Sequence, residues 1–187
     1  GVFREVLSDM RIREGRVALL RFPGASGPMM TGLFHPLVLM PEKLVSDRDE
    51  LALIFRHELV HYRRRHIWYK LALMCANAAH WFNPLVWYLA REANAQLENA
   101  CDQEIIRSAD LGLRKKYCRS ILSAAALGQQ NKTGLRACLN GRNKSMKRRF
   151  DSIFDQKAKR RGAPLVVFML LAVLLSGALV SCRSGGG

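Results

Sequence analysis

The chain has 187 residues, and 49% of them are hydrophobic, which excludes disorder for its bulk and points to one domain or two small ones. Thirty Lys and Arg against fifteen Asp and Glu give a net charge of +15, so an anionic partner is expected: nucleic acid, acidic lipid or acidic protein. The five cysteines (75, 101, 118, 138 and 182) form no CxxC and no even framework, which argues against a disulfide scaffold and for a reducing compartment.

The chain opens on Gly1 rather than Met and closes on three glycines, so it reads as a fragment. Its first forty residues look β-like. Val2-Phe3-Arg4-Glu5-Val6 and Gly15-Arg16-Val17-Ala18-Leu19-Leu20 are short and carry strand-forming residues, and Phe22-Pro23-Gly24-Ala25-Ser26-Gly27-Pro28 is turn chemistry. Leu33 to Pro41 reads as a further strand, demoted to an edge or a bulge by Pro36. A small, mostly antiparallel sheet is expected.

The pattern then turns helical. Ser46-Asp47-Arg48-Asp49 reads as a capping box with Asp in place of Glu, and Leu51, Ile54, Phe55, Leu59 and Val60 follow at helical spacing, which predicts a helix over 47–65. Residues 67–79 are apolar but too few to span a bilayer alone; they fit a core helix, or a membrane-dipping extension of the helix before them. Trp68, Tyr69, Trp81, Trp87 and Tyr88 suit either an aromatic core or a membrane interface. Asn83-Pro84 starts a helix to about residue 107, a further helix covers 113–127, and 129–143 is polar enough to read as loop.

Between 142 and 161 the chain carries nine basic and two acidic residues, and 162–182 then has no charge at all. Twenty-one helical residues measure about 31 Å, the thickness of a bilayer core. Lys157, Lys159, Arg160 and Arg161 precede this stretch and only Arg183 follows it, so the positive-inside rule puts the preceding residues in the cytoplasm and 183–187 outside.

His57-Glu58-Leu59-Val60-His61 is an HExxH on a predicted helix. Spacing of i,i+4 sets both imidazoles on one face, able to grip one metal ion, and Glu58 falls beside the metal's open position as general base for an attacking water. A catalytic zinc needs a third protein ligand. Candidates are His35, His66, His80, Glu92, Glu98 and Glu104, with His66 too far along the axis unless the helix breaks. Glu98 and Asp102 form a second i,i+4 pair, in which Glu98 can bind metal while Asp102 accepts a hydrogen bond from a ligand histidine.

The segments His57-Glu58-Leu59-Val60-His61-Tyr62-Arg63-Arg64-Arg65-His66, Trp81-Phe82-Asn83-Pro84-Leu85-Val86-Trp87-Tyr88 and Glu98-Asn99-Ala100-Cys101-Asp102-Gln103-Glu104 resemble the BlaR/MecR-type membrane metallopeptidases, gluzincins that include bacterial β-lactam-sensing signal transducers. Ser26-Gly27-Pro28, Gly32 and Pro36-Leu37-Val38-Leu39-Met40-Pro41 add to the likeness, which covers about residues 16–182. The resemblance implies an α+β, mainly helical zinc-peptidase domain (1–161) in the cytoplasm, a transmembrane helix (162–182) and an outer tail (183–187). It implies Zn2+ on His57, His61 and Glu98, Glu58 as the base, and Asp102 as hydrogen-bond partner of a ligand histidine. No motif locates an oxyanion stabiliser; His35, Tyr62, Asn94 and the arginines are candidates.

The implied substrate is a protein, either the chain itself or a regulator such as a transcriptional repressor. Alternatives are a Ste24/HtpX-like quality-control protease and a non-catalytic membrane scaffold. Anionic lipid accounts for Lys144, Lys147, Arg148, Arg149 and the cations at 157–161, with Arg63, Arg64 and Arg65 facing lipid or an acidic substrate segment. No recognition-helix, RNP-like or zinc-finger motif supports nucleic acid.

Overall fold

The computed structural model describes residues 1–44, 47–107, 109–130 and 137–154, with backbone alone for 127–130 and 137–145. The expected membrane segment 162–182 and the tail 183–187 lie outside the described residues. Among the described residues no helix is long and apolar enough to cross a membrane.

The first element is a helix, α1 (Val2–Asp9), not the expected strand. Val2, Phe3, Val6, Leu7 and Met10 recur at i, i+1, i+4, i+5 and i+8, and together they pack on one side of the core. Read over five residues, β-branched content hides this period; local strand propensity is weak against packing. The helix ends in a left-handed Arg11, with Ile12 N–H donating to the Leu7 carbonyl and Arg11 N–H to that of Ser8, a Schellman cap.

Strands β1 (Ala18–Phe22), β2 (Met29–Thr31) and β3 (Leu37–Pro41) form a mixed sheet in the order β1-β3-β2. β3 pairs parallel with β1 and antiparallel with β2, so the sheet is not mostly antiparallel. Pro36 sits just before β3 and does not interrupt it, and β3 is the central strand rather than an edge. The tight turn into β3 depends on Gly32, whose φ is +85° and where a Cβ would stand 2.1 Å from the His35 carbonyl oxygen.

Helix α2 (Arg48–Arg63) is capped by Asp47, which accepts from the Glu50 N–H at 2.7 Å. The cap therefore sits at Asp47, one residue later than the Ser46 of the expected box. Ile54, Phe55 and Leu59 pack against α1 and β3, whereas Leu53 packs with Ile106, Tyr117, Ile121 and Ile153 of the helices beyond. Each such buried side chain contributes roughly 1.5–3 kcal/mol before chain entropy is counted. α2 is thus the central post, and this fixes its HExxH turn rigidly.

Arg65, at φ +54°, breaks the chain direction, and α3 (His66–Ala79) starts afresh rather than extending α2. α4 (Pro84–Ile106) begins as expected at the Asn83 cap, and α5 (Leu111–Gln130) overruns its expected ends. α6 (Ala137–Phe154) occupies part of the stretch read as loop. Between them, α4, α5 and α6 close over the far side of α2.

Candidate metal centre

The two histidines of the motif are buried on α2, and Glu98 reaches them from α4. His57 Nε2 lies 3.3 Å from His61 Nε2 and 3.3 Å from Glu98 Oε2, and His61 Nε2 lies 3.6 Å from Glu98 Oε1. Zinc bonds of about 2.0–2.1 Å at tetrahedral angles set neighbouring ligand atoms about 3.3–3.4 Å apart. The donor set therefore fits a metal ion of that kind without rearrangement, and these three residues form one of two groups of suitable ligands among the described residues.

The electrostatics of His57 and Glu98 are strongly coupled. Burial opposes a charged His57, but the hydrogen bond to Glu98 and the nearby Glu58 charge outweigh it and raise its pKa. Burial also works against a charged Glu98, yet the hydrogen bonds from His57 and His61 hold its carboxyl far below the usual carboxylate range.

Each histidine is oriented from behind. Tyr117 of α5 donates its hydroxyl proton to Asp102 Oδ1 at 2.7 Å, so its oxygen accepts from His57 Nδ1 at 2.7 Å. This leaves the Nε2 lone pair of His57 facing the donor cluster. Asp102 was expected to meet a histidine directly; it stands 3.5 Å from His57 Nδ1, with the Tyr117 hydroxyl bridging the two. Burial, then the Asp102 charge, keep the Tyr117 hydroxyl protonated well above its ordinary pKa. Asp102 is fully buried and takes both its charge balance and two 2.7 Å hydrogen bonds from Arg149 of α6.

His66 joins the cluster because the helix breaks at Arg65. It meets the opposite nitrogen of His61, Nδ1 to Nδ1 at 3.0 Å. Burial, followed by the positive charge of its neighbours, lowers its pKa to about 4, and the Nδ1–Nδ1 contact holds the His61 ring with its Nε2 toward Glu98. His61, His66 and Cys101 form the second ligand-rich group, with Cys101 Sγ 3.6 Å from His66 Nδ1. Burial pushes the Cys101 thiol up to about 12, which keeps it a neutral packing partner rather than a thiolate.

Glu58 lies on the wall of a cleft of about 450 Å³ together with His57, His61, Glu98 and Lys70. No hydrogen bond or ion pair ties its carboxylate among the described residues, so its oxygens are free to accept a proton. The edge strand β2 borders the same cleft through Met29 and Met30.

The other sequence candidates fall elsewhere. His35 and His80 are exposed and stand away from the cleft. Glu104 is closed upon by Arg63 and Arg64, tying the end of α2 to α4, and Glu92 pairs with Arg148 at 2.6 Å. Tyr62 packs against the α1–β3 core, and Asn94 donates to the Ala90 carbonyl on its own helix. Of the two cations read as lipid-facing, Arg149 turns inward to the buried Asp102, whereas Arg148 stays exposed and pairs with Glu92. Tyr117 and Arg149 were missed as site residues: Tyr117 is one aromatic on an ordinary amphipathic helix, and Arg149 is one cation in a run of them.

A family model, described as BlaR1 peptidase M56, matches residues 4–153. The chain belongs to that family. It is similar to the regulatory protein BlaR1 of Bacillus licheniformis, 29% identical over 182 residues, which is 94% of this chain and 30% of the relative. It is also similar to the methicillin resistance MecR1 proteins of Staphylococcus aureus and Staphylococcus epidermidis, 22% identical over 174 residues, or 90% of this chain and 30% of each relative. The chain thus spans under a third of the length of these relatives. M56 peptidases are metallopeptidases, in keeping with the ligand groups found here.

Proposed function

We propose that this chain is the zinc endopeptidase unit of a bacterial membrane signalling protein, cutting itself or a regulator such as a transcriptional repressor. The observation that carries the reading is the convergence of His57, His61 and Glu98 at 3.3–3.6 Å with Glu58, unpaired among the described residues, beside them. Zinc held by those three residues would supply a Lewis acid that polarises the scissile carbonyl and acidifies the attacking water.

The chain's own groups do the rest. Tyr117 holds His57 in the ligating tautomer, His66 props the ring of His61, and Glu98 offsets the cation's charge. Glu58 accepts a proton from the attacking water and passes it to the leaving amine. An extended substrate segment adds to the edge of β2, where main-chain hydrogen bonds align it across the cleft. The uncharged stretch 162–182 spans the bilayer, with the peptidase domain in the cytoplasm and 183–187 outside, and exposed cations meet anionic lipid.

Glu58→Gln tests the peptidase reading. It keeps size and hydrogen bonding but cannot take the proton, so the variant should hold metal like the native chain and lose at least roughly a hundredfold in cleavage of itself or of a co-expressed repressor. Cleavage at the native rate would make the motif structural and leave the scaffold reading standing.

A further inference from the structure

Residues 71–90 contain no Asp, Glu, Lys or Arg, and they form the outer half of the α3–α4 hairpin. The hairpin is not core. Trp81 is 70% exposed and Phe82 69%, and Trp68, Tyr69, Met74, Leu85, Trp87 and Tyr88 are exposed as well. Between His66 and Ala90 no residue is buried. So large a contiguous apolar surface needs an occupant.

The turn at the hairpin's tip pairs part of its own backbone. His80 N–H donates to Ala76, Asn83 N–H to His80 and Val86 N–H to Asn83. The Asn83 side chain accepts from Leu85 N–H at 3.0 Å, the Trp87 indole donates to the Trp81 carbonyl at 3.0 Å, and Pro84 has no N–H to leave unpaired. Such pairing lowers the cost of placing the turn in a hydrocarbon environment, where water cannot satisfy these groups.

At the base of the hairpin lies a cavity of about 460 Å³ lined by Arg11, Arg13, Arg16, Arg63 and Arg65, with Trp68 on its rim and no acidic residue in its wall. Arg63 pairs with Glu104; the other four have no ion pair among the described residues. Arg11 and Arg65 enter this cavity from left-handed backbone positions that few residues other than glycine occupy. The fourteen residues of α3 measure about 21 Å. That is close to the distance from the headgroup surface to the bilayer midplane, roughly 20–22 Å.

We infer that the α3–α4 hairpin inserts into one leaflet of an anionic bilayer, and that the arginine cavity at its base seats the phosphate headgroups. The occupant is lipid rather than protein because an uncharged apolar tip, a helix about one leaflet long and a cationic base follow in the order of a leaflet's own layers. The inference rests on the membrane placement proposed above but not on the span at 162–182: a hairpin in one leaflet and a transmembrane helix are separate contacts.

The chain's three tryptophans, 68, 81 and 87, all lie on this hairpin, so fluorescence reads it directly. The full chain carrying Trp68→Phe and Trp87→Phe is reconstituted into vesicles of equal phosphatidylcholine and phosphatidylglycerol, with bromine on the mid-chain carbons of one lipid at a time. Trp81 should lose most of its emission to either brominated lipid and resist iodide in the water. Bromine on phosphatidylglycerol should quench more, and Arg11→Gln/Arg13→Gln/Arg16→Gln should remove that preference while leaving overall quenching intact. Vesicle-bound protein whose Trp81 is reached by iodide would overturn the insertion, as would protection from both quenchers, which would mean a second copy or another stretch of chain covers the face. A preference for phosphatidylglycerol that survives the triple substitution would overturn the headgroup role of the cavity. The orientation of 162–182, read separately by a reporter beyond Arg183, distinguishes failure of the hairpin from failure of the membrane placement itself.

Discussion

Tyr117→Phe removes one oxygen from the place where three elements meet. The hydroxyl makes two bonds of 2.7 Å, to Asp102 on α4 and to His57 on α2, inside a region where Tyr117 is 1% and Asp102 0% exposed. A bond to a charged acceptor is worth about 1.5–3 kcal/mol and a neutral one about 0.5–1.5 kcal/mol. Part of this is recovered, because Asp102 keeps both Arg149 bonds and stands only 3.5 Å from His57 Nδ1; a shift of roughly 0.7 Å would give a direct hydrogen bond of ordinary length. The variant should therefore bind zinc about tenfold more weakly, at the mild end of the tenfold to hundredfold expected when a ligand's supporting partner is lost. The assay is zinc competition against a chromophoric chelator, with the ligand-field spectrum of the cobalt-substituted protein as an independent view of His57. Cys118→Ala, in the same packed cluster but out of hydrogen-bonding range of the histidines, is the control: it should lower thermal stability and leave metal affinity unchanged. Native zinc affinity and an unaltered cobalt spectrum in Tyr117→Phe would refute the claim that this hydroxyl orients His57.

Glu98→Ala should strip most of the metal at neutral pH, whereas Glu92→Ala, on the same helix but paired with Arg148, should leave metal content native; equal loss from both, measured by elemental analysis of the purified chains, would remove Glu98 from the ligand set. The Glu92–Arg148 pair fastens α4 to α6, and Arg148 hydrogen bonds hold the Glu92 carboxyl down at about 2 from an ordinary 4.5. A lowered carboxyl pKa means that the contribution is fully present above pH 4.5 and is lost as the pH falls toward about 2, so the melting temperature of Glu92→Gln should converge on that of the native chain across this acid range and lie below it at pH 7. A phosphatase reporter, which works only outside the cytoplasm, should be active when fused after Arg183; a cytoplasmic reporter active there would reverse the proposed topology.

Local geometry made the grouping of the candidate ligands legible. An i,i+4 pair on a helix shares a face whatever the rest of the chain does, so His57 with His61, and Glu98 with Asp102, could be read from spacing alone. Helix starts with a clear chemical signal were equally legible, as at Asn83-Pro84, because a cap is made within four residues. The failures came where the deciding contact is distant in sequence. α1 is helical because Val6 and Leu7 find Ile54, Phe55 and Leu59; five β-rich residues could not announce that. β1 runs parallel to β3 because β2 is laid on the far side of β3, a matter of chain path rather than strand content. His66 entered the cluster only through a left-handed Arg65, an uncommon conformation for a residue with a Cβ and one that no glycine advertised. The support of His57 passes through Tyr117 to Asp102 and Arg149, sequence separations of 60, 15 and 47 residues. The donor set belongs to the sequence, since a helix repeats every 3.6 residues; the hydrogen bonds that aim those donors belong to the tertiary structure, since only packing brings α2, α4, α5 and α6 to one point.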